Sequence, residues 1–195
     1  MSIPKTPRGL SNAISRISTG LSSFKREFGF IDDGAGVRYY LAYLYFLLDD
    51  NRKSSEYLRW FKREFPDDMG EPVQMLCMAL MLHRMGKDGS SLLCRTMCSN
   101  IYLIPFVLGE RFERVDMWHG GNWEDPEYTE EVPQRILYAI TDADRQWLRQ
   151  TYHSQELQAI LHRLMEINKE LLSERPGERR SALVAELYSL EKSFD

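Results

Sequence analysis

With 195 residues, 43% of them hydrophobic and 12% aromatic, the chain carries enough apolar material for one domain with a substantial core, which argues against disorder. Its formal charge of −4 is uneven: Glu113 to Glu131 hold seven acids (Glu113, Asp116, Glu124, Asp125, Glu127, Glu130, Glu131) and one base (Arg114), a balance of −6 that leaves +2 for everything else. A field of that sign disfavours nucleic acid and favours a basic partner, the bland alternative being a solvated acidic loop.

From the N-terminus, Leu10, Ile14, Ile17, Leu21, Phe24 and Phe28 recur at spacings of 4, 3, 4, 3 and 4, which places all six on one face of a helix interrupted only by Gly20. Such a stripe can lie on a membrane or pack on the helices that follow, and we take the packing reading. Residues 1–26 also contain Lys5, Arg8, Arg16, Lys25 and Arg26 and no acid, a composition shared with organelle transit peptides.

After the turn signal at 32–36, Val37 to Leu48 reads as a densely apolar helix, broken at 49–52. Its apolar core, Tyr39 to Leu48, is about half the roughly 18 to 20 residues a membrane span needs, so a soluble protein is expected. Ser54 to Phe65 follows as a second helix with Ser54, Leu58, Phe61 and Phe65 on one face, ended by Pro66. The pattern recurs in a helix over 71–85, a turn over 86–89 and a helix over 90–103 before Pro105. Beyond Gly109 come 22 residues without helical period, and a connection longer than about 12 to 15 residues inside a compact domain is usually functional or disordered. Trp118, Trp123 and Tyr128 argue for order there. Helical periods resume with 132–140, a helix capped by Thr141, a long helix capped by Ser154 with Leu157, Ile160, Leu161, Leu164, Ile167 and Leu171 in its stripe, and a last helix over 178–194 bearing Leu183, Leu187, Leu190 and Phe194. No alternating run competes as a strand, so the expected class is all-α, in one domain spanning 1–195.

Ala42 and Ala79 hold equivalent places in the first helices of the two hairpins, 37 residues apart, and Ser54 and Ser91 each follow 12 residues later. Small residues suit the points where two helices cross. In the order Leu41, Ala42, Tyr45, Ser54, Leu58 and Pro66 the first hairpin resembles the tetratricopeptide (TPR) family. The second departs from it, with Leu82 for the aromatic, Arg95 for a large apolar residue, and Pro105 two residues late. The resemblance covers about residues 36–108. It implies tandem TPR-like hairpins between an N-terminal amphipathic helix (1–35) and, past the acidic tryptophan-bearing loop of 109–131, a C-terminal helical bundle or cap (132–195). It further implies protein binding on a concave surface lined by Tyr39, Tyr43, Phe46 and Leu47, then Val73, Leu76, Leu80, His83 and Arg84. Two repeats are generally too few for a stable array, so the terminal helices are expected to cover part of that groove.

The sequence offers little chemistry. Cys94 and Cys98 at i, i+4, with Cys77 and His83 nearby, give a possible metal set, set against the packing of cysteine as a small buried hydrophobe. Three cysteines form no secreted disulfide framework and no apolar signal segment opens the chain, so a cytoplasmic location is expected. Neither a P-loop, a dinucleotide-binding glycine pattern, HExxH nor GxSxG occurs. His119, close to Asp116 and Glu124, is the one acid/base or metal candidate in the loop, and it lacks a nucleophile motif. The expected function is therefore a non-enzymatic helical module that needs no cofactor and binds a basic protein as adaptor, chaperone or cognate inhibitor, an immunity protein against a nuclease toxin being one form. Its candidate contact residues are Tyr39, Tyr43, Phe46, Asp116, Trp118, His119, Trp123, Glu124, Asp125 and Glu127. The alternative is a metal-dependent enzyme or metal-binding protein centred on His119 or on Cys77, Cys94 and Cys98.

Overall fold

The chain builds its helices from caps that can be traced residue by residue in a computed structural model, which describes residues 2–34, 36–118 and 121–192. Helix α1 (Pro7–Phe28) starts at Thr6, whose hydroxyl accepts from the Gly9 N–H, and closes at Gly29 in the left-handed region (φ 81°). It runs through Gly20 without a break. Helix α2 (Val37–Leu48) is opened by the Asp33 carboxylate, which accepts from Val37 N–H (2.7 Å) and Arg38 N–H (2.8 Å).

Helix α3 (Asn51–Glu64) begins three residues before the position expected from its apolar face. Asp49 turns the chain in the left-handed region (φ 53°), and the Asp50 side chain caps by accepting from Lys53 N–H, so residues 51 and 52 are already helical. Helix α4 (Pro72–Arg84) has proline where its missing N–H costs nothing and a reciprocal capping box between Glu71 and Gln74.

The single helix expected over 90–103 is instead two, α5 (Ser90–Ser99) and α6 (Leu103–Leu108). Asn100 is extended between them and its Oδ1 accepts from Tyr102 N–H at 2.9 Å, so the helix stops there and restarts with Pro105 in the first turn of α6. After the acidic segment come α7 (Gln134–Ala139), α8 (Asp142–Tyr152) with its Thr141–Asp144 capping box, α9 (Gln155–Ser173) capped by Ser154, and α10 (Glu178–Lys192). Phe194 lies outside the described residues. The protein is all-helical, with no strand among the described residues, and no described helix is long and apolar enough to cross a membrane.

Helix α1 packs on α2, α2 on α3 and α4, and α4 on α5; α8 then lies against α4 and α6, and α9 and α10 against α5. One core runs through these contacts, from Leu10 of α1 to Leu164 of α9, with a small second cluster of Ile167, Leu171 and Leu183 between α9 and α10. Close approach is enforced at Gly89, before α5: a Cβ there would stand 2.6 Å from the Ala79 carbonyl oxygen of α4 and 3.2 Å from the Trp147 ring of α8.

The α2–α4 face expected to line a groove is filled from within. Phe46, Val73, Leu76 and Leu80 are at most 1% exposed. His83 stacks on Trp147 with ring centroids 4.6 Å apart. Arg84, at the end of α4, donates to Asp144 at the start of α8 (2.7 Å), to Asp49 after α2 (2.8 Å) and to the Ala139 carbonyl of α7 (2.7 Å), with its guanidinium 4.4 Å from the Phe46 ring centre. The expectation that Phe46 contacts a partner is thus corrected: Arg84 and the docked C-terminal helices occupy that place.

Two results are expected from chemical denaturation. Gly89→Ala pushes α4 and α5 apart and loses about 1–3 kcal/mol, whereas Gly20→Ala, with open space around its Cβ, gains roughly 0.5–1 kcal/mol from helix propensity. For Asp144, burial pushes the carboxyl up, but the Arg84 guanidinium and the Thr141 N–H and hydroxyl together outweigh it and hold the carboxyl below its usual range. A depressed carboxyl contributes stability above its unfolded value of about 3.9, and the contribution is lost as pH falls through the folded value. Asp144→Asn is accordingly less stable than wild type at neutral pH, and the two stability curves converge on acidification below about pH 4; parallel curves at all pH values would show that the ion pair does not set this dependence.

Candidate functional site

The acidic segment is pinned along its length. Val115 N–H donates to Tyr102 Oη (3.1 Å), and Met117 is buried. Trp118 N–H donates to the Asn168 carbonyl of α9 (2.9 Å), while its half-buried ring packs on Ile167, Leu171 and Leu183 with the Arg180 guanidinium 5.8 Å from the ring centre. Short 3-10 turns then cover Asn122–Glu124 and Pro126–Glu131. The Asn100 side-chain amide holds the first of them, donating to the carbonyls of Trp123 (2.5 Å) and Asp125 (3.0 Å). Tyr128 is buried and its hydroxyl accepts from Val73 N–H (3.2 Å), a donor at the start of α4 that it shares with Glu71 Oε1 (3.2 Å).

This pinning turns one tryptophan inward and one outward. Trp123 is 41% exposed and meets the Tyr39 ring edge to face, with centroids 6.0 Å apart. Tyr39 is itself fixed: its hydroxyl accepts from Arg38 Nη2 (2.7 Å) and donates to Asp68 Oδ1 (3.1 Å). Burial, with the Asp68 charge next, pushes this phenol up to about 12, so it stays a neutral donor. Arg38 also bridges Asp33 and Asp68 and lies 4.3 Å from the centre of the Tyr39 ring. Arg95 donates to the carbonyls of Asp68 (2.9 Å) and Met69 (3.1 Å), leaving the Met69 side chain 50% exposed.

The result is an exposed Trp123 seated on the half-buried Tyr39, with the acids Glu124, Asp125 and Glu127 following it in the chain as a rim. Arg114 crosses the rim to Glu127 (2.7 Å) and, more distantly, Asp125 (3.9 Å). Among the residues singled out in the sequence, Tyr39, Trp123, Glu124, Asp125 and Glu127 belong to this part of the molecule. Asp116 is exposed beside the buried Met117, and Trp118 belongs to the α9–α10 contact. Tyr43 turns inward and donates to Glu71 Oε2 (2.8 Å), which corrects its expected place on an open surface. His119 lies outside the described residues. Asn100, Arg38 and Asp68 were missed, Asn100 because the expected helix over 90–103 runs through it.

The cysteines sit in the core: Cys77, Cys94 and Cys98 are all buried and none is in a disulfide. Burial pushes the Cys77 thiol well up. The described histidines are scattered, with His83 on Trp147, His153 beside Glu110 (3.1 Å) and His162 beside Glu166 (3.2 Å). Among the described residues, no group of three or more His, Cys, Asp or Glu side chains converges as a metal site would require. Two shallow depressions of about 330 and 220 Å³ border α1, lined by Ser18, Ser22, Thr19 and Arg26 in one and by Ser18, Tyr45 and Trp60 in the other.

No protein-family model matches the chain, and no curated protein or solved structure matches it.

Replacing Asn100, 1% exposed, with alanine leaves the carbonyls of Trp123 and Asp125 without their donor, a loss of about 1–3 kcal/mol. Asn100→Asp keeps the acceptor for Tyr102 N–H and removes the donor, so it should release the segment while preserving the α5–α6 corner. Limited proteolysis after residue 109 reads this out, and equal resistance of wild type and both variants would show that the amide does not hold the segment.

Proposed function

We propose that the protein is a non-enzymatic, TPR-like helical module that binds another protein through the face centred on Trp123 and Tyr39. The observation that carries this reading is the exposed Trp123, seated on Tyr39 while Asn100 fixes the backbone beneath it. A large aromatic held at low entropic cost and ringed by charge is the composition of an interface hot spot. The acids of the rim favour a partner with a basic surface and speed its encounter. The successive helix pairs α2–α3 and α4–α5, with fully buried Ala42 and Ala79 at matching places, support the TPR-like part of the reading. Protein binding by such a scaffold is itself an argument from fold analogy. Adaptor, chaperone and cognate inhibitor all use a face of this kind, and an acidic surface that mimics phosphate suits an inhibitor of a nucleic-acid-cutting toxin.

The test compares wild type with Trp123→Ala as immobilised bait in lysate of the source cell, followed by calorimetry with the purified partner. The variant should bind at least about thirtyfold more weakly, the loss of one hot-spot side chain, with its helical content unchanged. A partner retained equally by both proteins, or none at any salt concentration, removes this reading.

A further inference from the structure

Helix α1 carries two serines where it passes the aromatic residues of α2 and α3. Ile17 and Leu21 pack into the core, whereas Ser18 and Ser22, one turn apart, border a cavity of about 220 Å³. Its other walls come from Tyr45 of α2 and from Glu56, Tyr57 and Trp60 of α3. The rings touch one another: Tyr45 stacks on Tyr57 with centroids 4.7 Å apart, and Trp60 lies 5.9 Å from Tyr57. Tyr57 is buried and donates to the Arg38 carbonyl (3.2 Å), and Phe65 meets Trp60 edge to face at 5.5 Å, so the aromatic wall is held from the core. Tyr45 and Trp60 are half-buried, which leaves part of each ring accessible.

The polar groups of this cavity are few and mostly engaged. Burial pushes the Tyr45 phenol up, a hydrogen bond with Ser18 pulls it down and the Glu56 charge pushes it up, so Ser18, Tyr45 and Glu56 are neighbours around a neutral phenol. Of the described side chains that line the space, Glu56 alone carries a charge. Its partner Arg52 (3.0 Å) is one turn away, and the two side chains are 50% and 75% exposed, a pair of little strength that a better-placed cation displaces.

A site of this composition selects by charge and by hydration. The faces of aromatic rings and the carboxylate both attract a cation and repel an anion. A primary ammonium is strongly hydrated and brings three N–H donors that need acceptors, but Ser18 is taken by Tyr45 and Glu56 by Arg52. A quaternary ammonium has no N–H to satisfy and exchanges its water for aromatic surface.

We propose that the cavity between α1 and α3 binds a quaternary ammonium group, its charge against Tyr45 and Trp60 and opposite Glu56. Ser18 and Ser22 also line the adjoining depression of about 330 Å³ beside Thr19 and Arg26, which gives the rest of the ligand room along α1. The site shares no residue with the Trp123–Tyr39 face, so the two readings fail separately.

Titration of the full chain with choline, followed by NMR, tests it. The indole N–H resonances report on each tryptophan separately, that of Trp60 being identified by its loss in Trp60→Phe. The Trp60 resonance should shift saturably with a Kd below about 1 mM. The neutral alcohol in which carbon replaces the quaternary nitrogen of choline has the same shape without the charge, and should bind at least about tenfold more weakly. Glu56→Gln, at an exposed position that does not threaten the fold, and Trp60→Leu should each weaken choline by a similar factor, while Trp123→Ala binds it as wild type does. Tighter binding of trimethyl-lysine than of choline would assign the group to a modified protein chain, and the reverse to a free small molecule. Equal binding of choline and its neutral counterpart overturns the proposal, as does affinity unchanged in Glu56→Gln. So does a shift confined to the other tryptophans, or none up to about 10 mM.

Discussion

The Arg84 guanidinium is the constraint on which the architecture turns. It is a permanent charge, mostly withdrawn from water over the Phe46 ring, and a charge so placed must be met by acids and carbonyls from every side. Asp49 comes from the end of α2, Asp144 from the start of α8 and the Ala139 carbonyl from the end of α7. Two stretches far apart in sequence, residue 49 and residues 139–144, are thereby fixed to the end of α4. Asp144 in turn caps its own helix through Thr141, so the acid that neutralises Arg84 also starts α8. The C-terminal helices have to dock where they do, and docking closes the face of α2 and α4 at this end.

The opposite ends of α2 and α4 are closed by a second polar cluster. Glu71 caps α4, accepts the Tyr43 hydroxyl and is pushed up by its burial, though the three hydrogen bonds it accepts pull the other way. Tyr128 brings the acidic segment onto Val73 N–H beside it. Once Tyr128 and Trp118 are fixed inward at two points and Asn100 holds the chain between them, Trp123 is left outside against Tyr39. Its exposure follows from where the backbone is pinned, so the candidate face is a product of the same packing that closes the groove.

What could be read from the sequence was what is decided locally. Thr141 and Ser154 open helices by hydrogen bonds within one turn and Pro72 by its fixed backbone angle, and the spans of α4, α8 and α9 followed from them. The start of α3 was misplaced because Asp50 caps four residues ahead of Ser54, the first residue of the apolar face. The α5–α6 corner was missed because Asn100 is shaped by carbonyls 23 and 25 residues away. The stripe of α1 was legible as a stripe, but its end was not: Leu10 is buried while Phe28 is 53% exposed, because the helix outruns the core it lies on. Nor could periodicity show which tryptophan faces water, since Trp118 and Trp123 lie in a segment without period and are sorted by α9 and α2.

The charges fall into two populations that the fold treats differently. Arg38, Arg84 and Asp144 are half-buried or buried, paired and shared between elements, and they hold the helices in register. The exposed charges hold less: Lys25 pairs with Glu64 and Arg114 with Glu127, but an exposed pair contributes about 0–1 kcal/mol at best, and like charges gathered on one surface repel. Stability alone would intersperse them. The gathering of Glu113, Asp116, Glu130 and Glu131 in one segment is a cost to the isolated chain, set against the hydrogen bonds that pin that segment to α4 and α5.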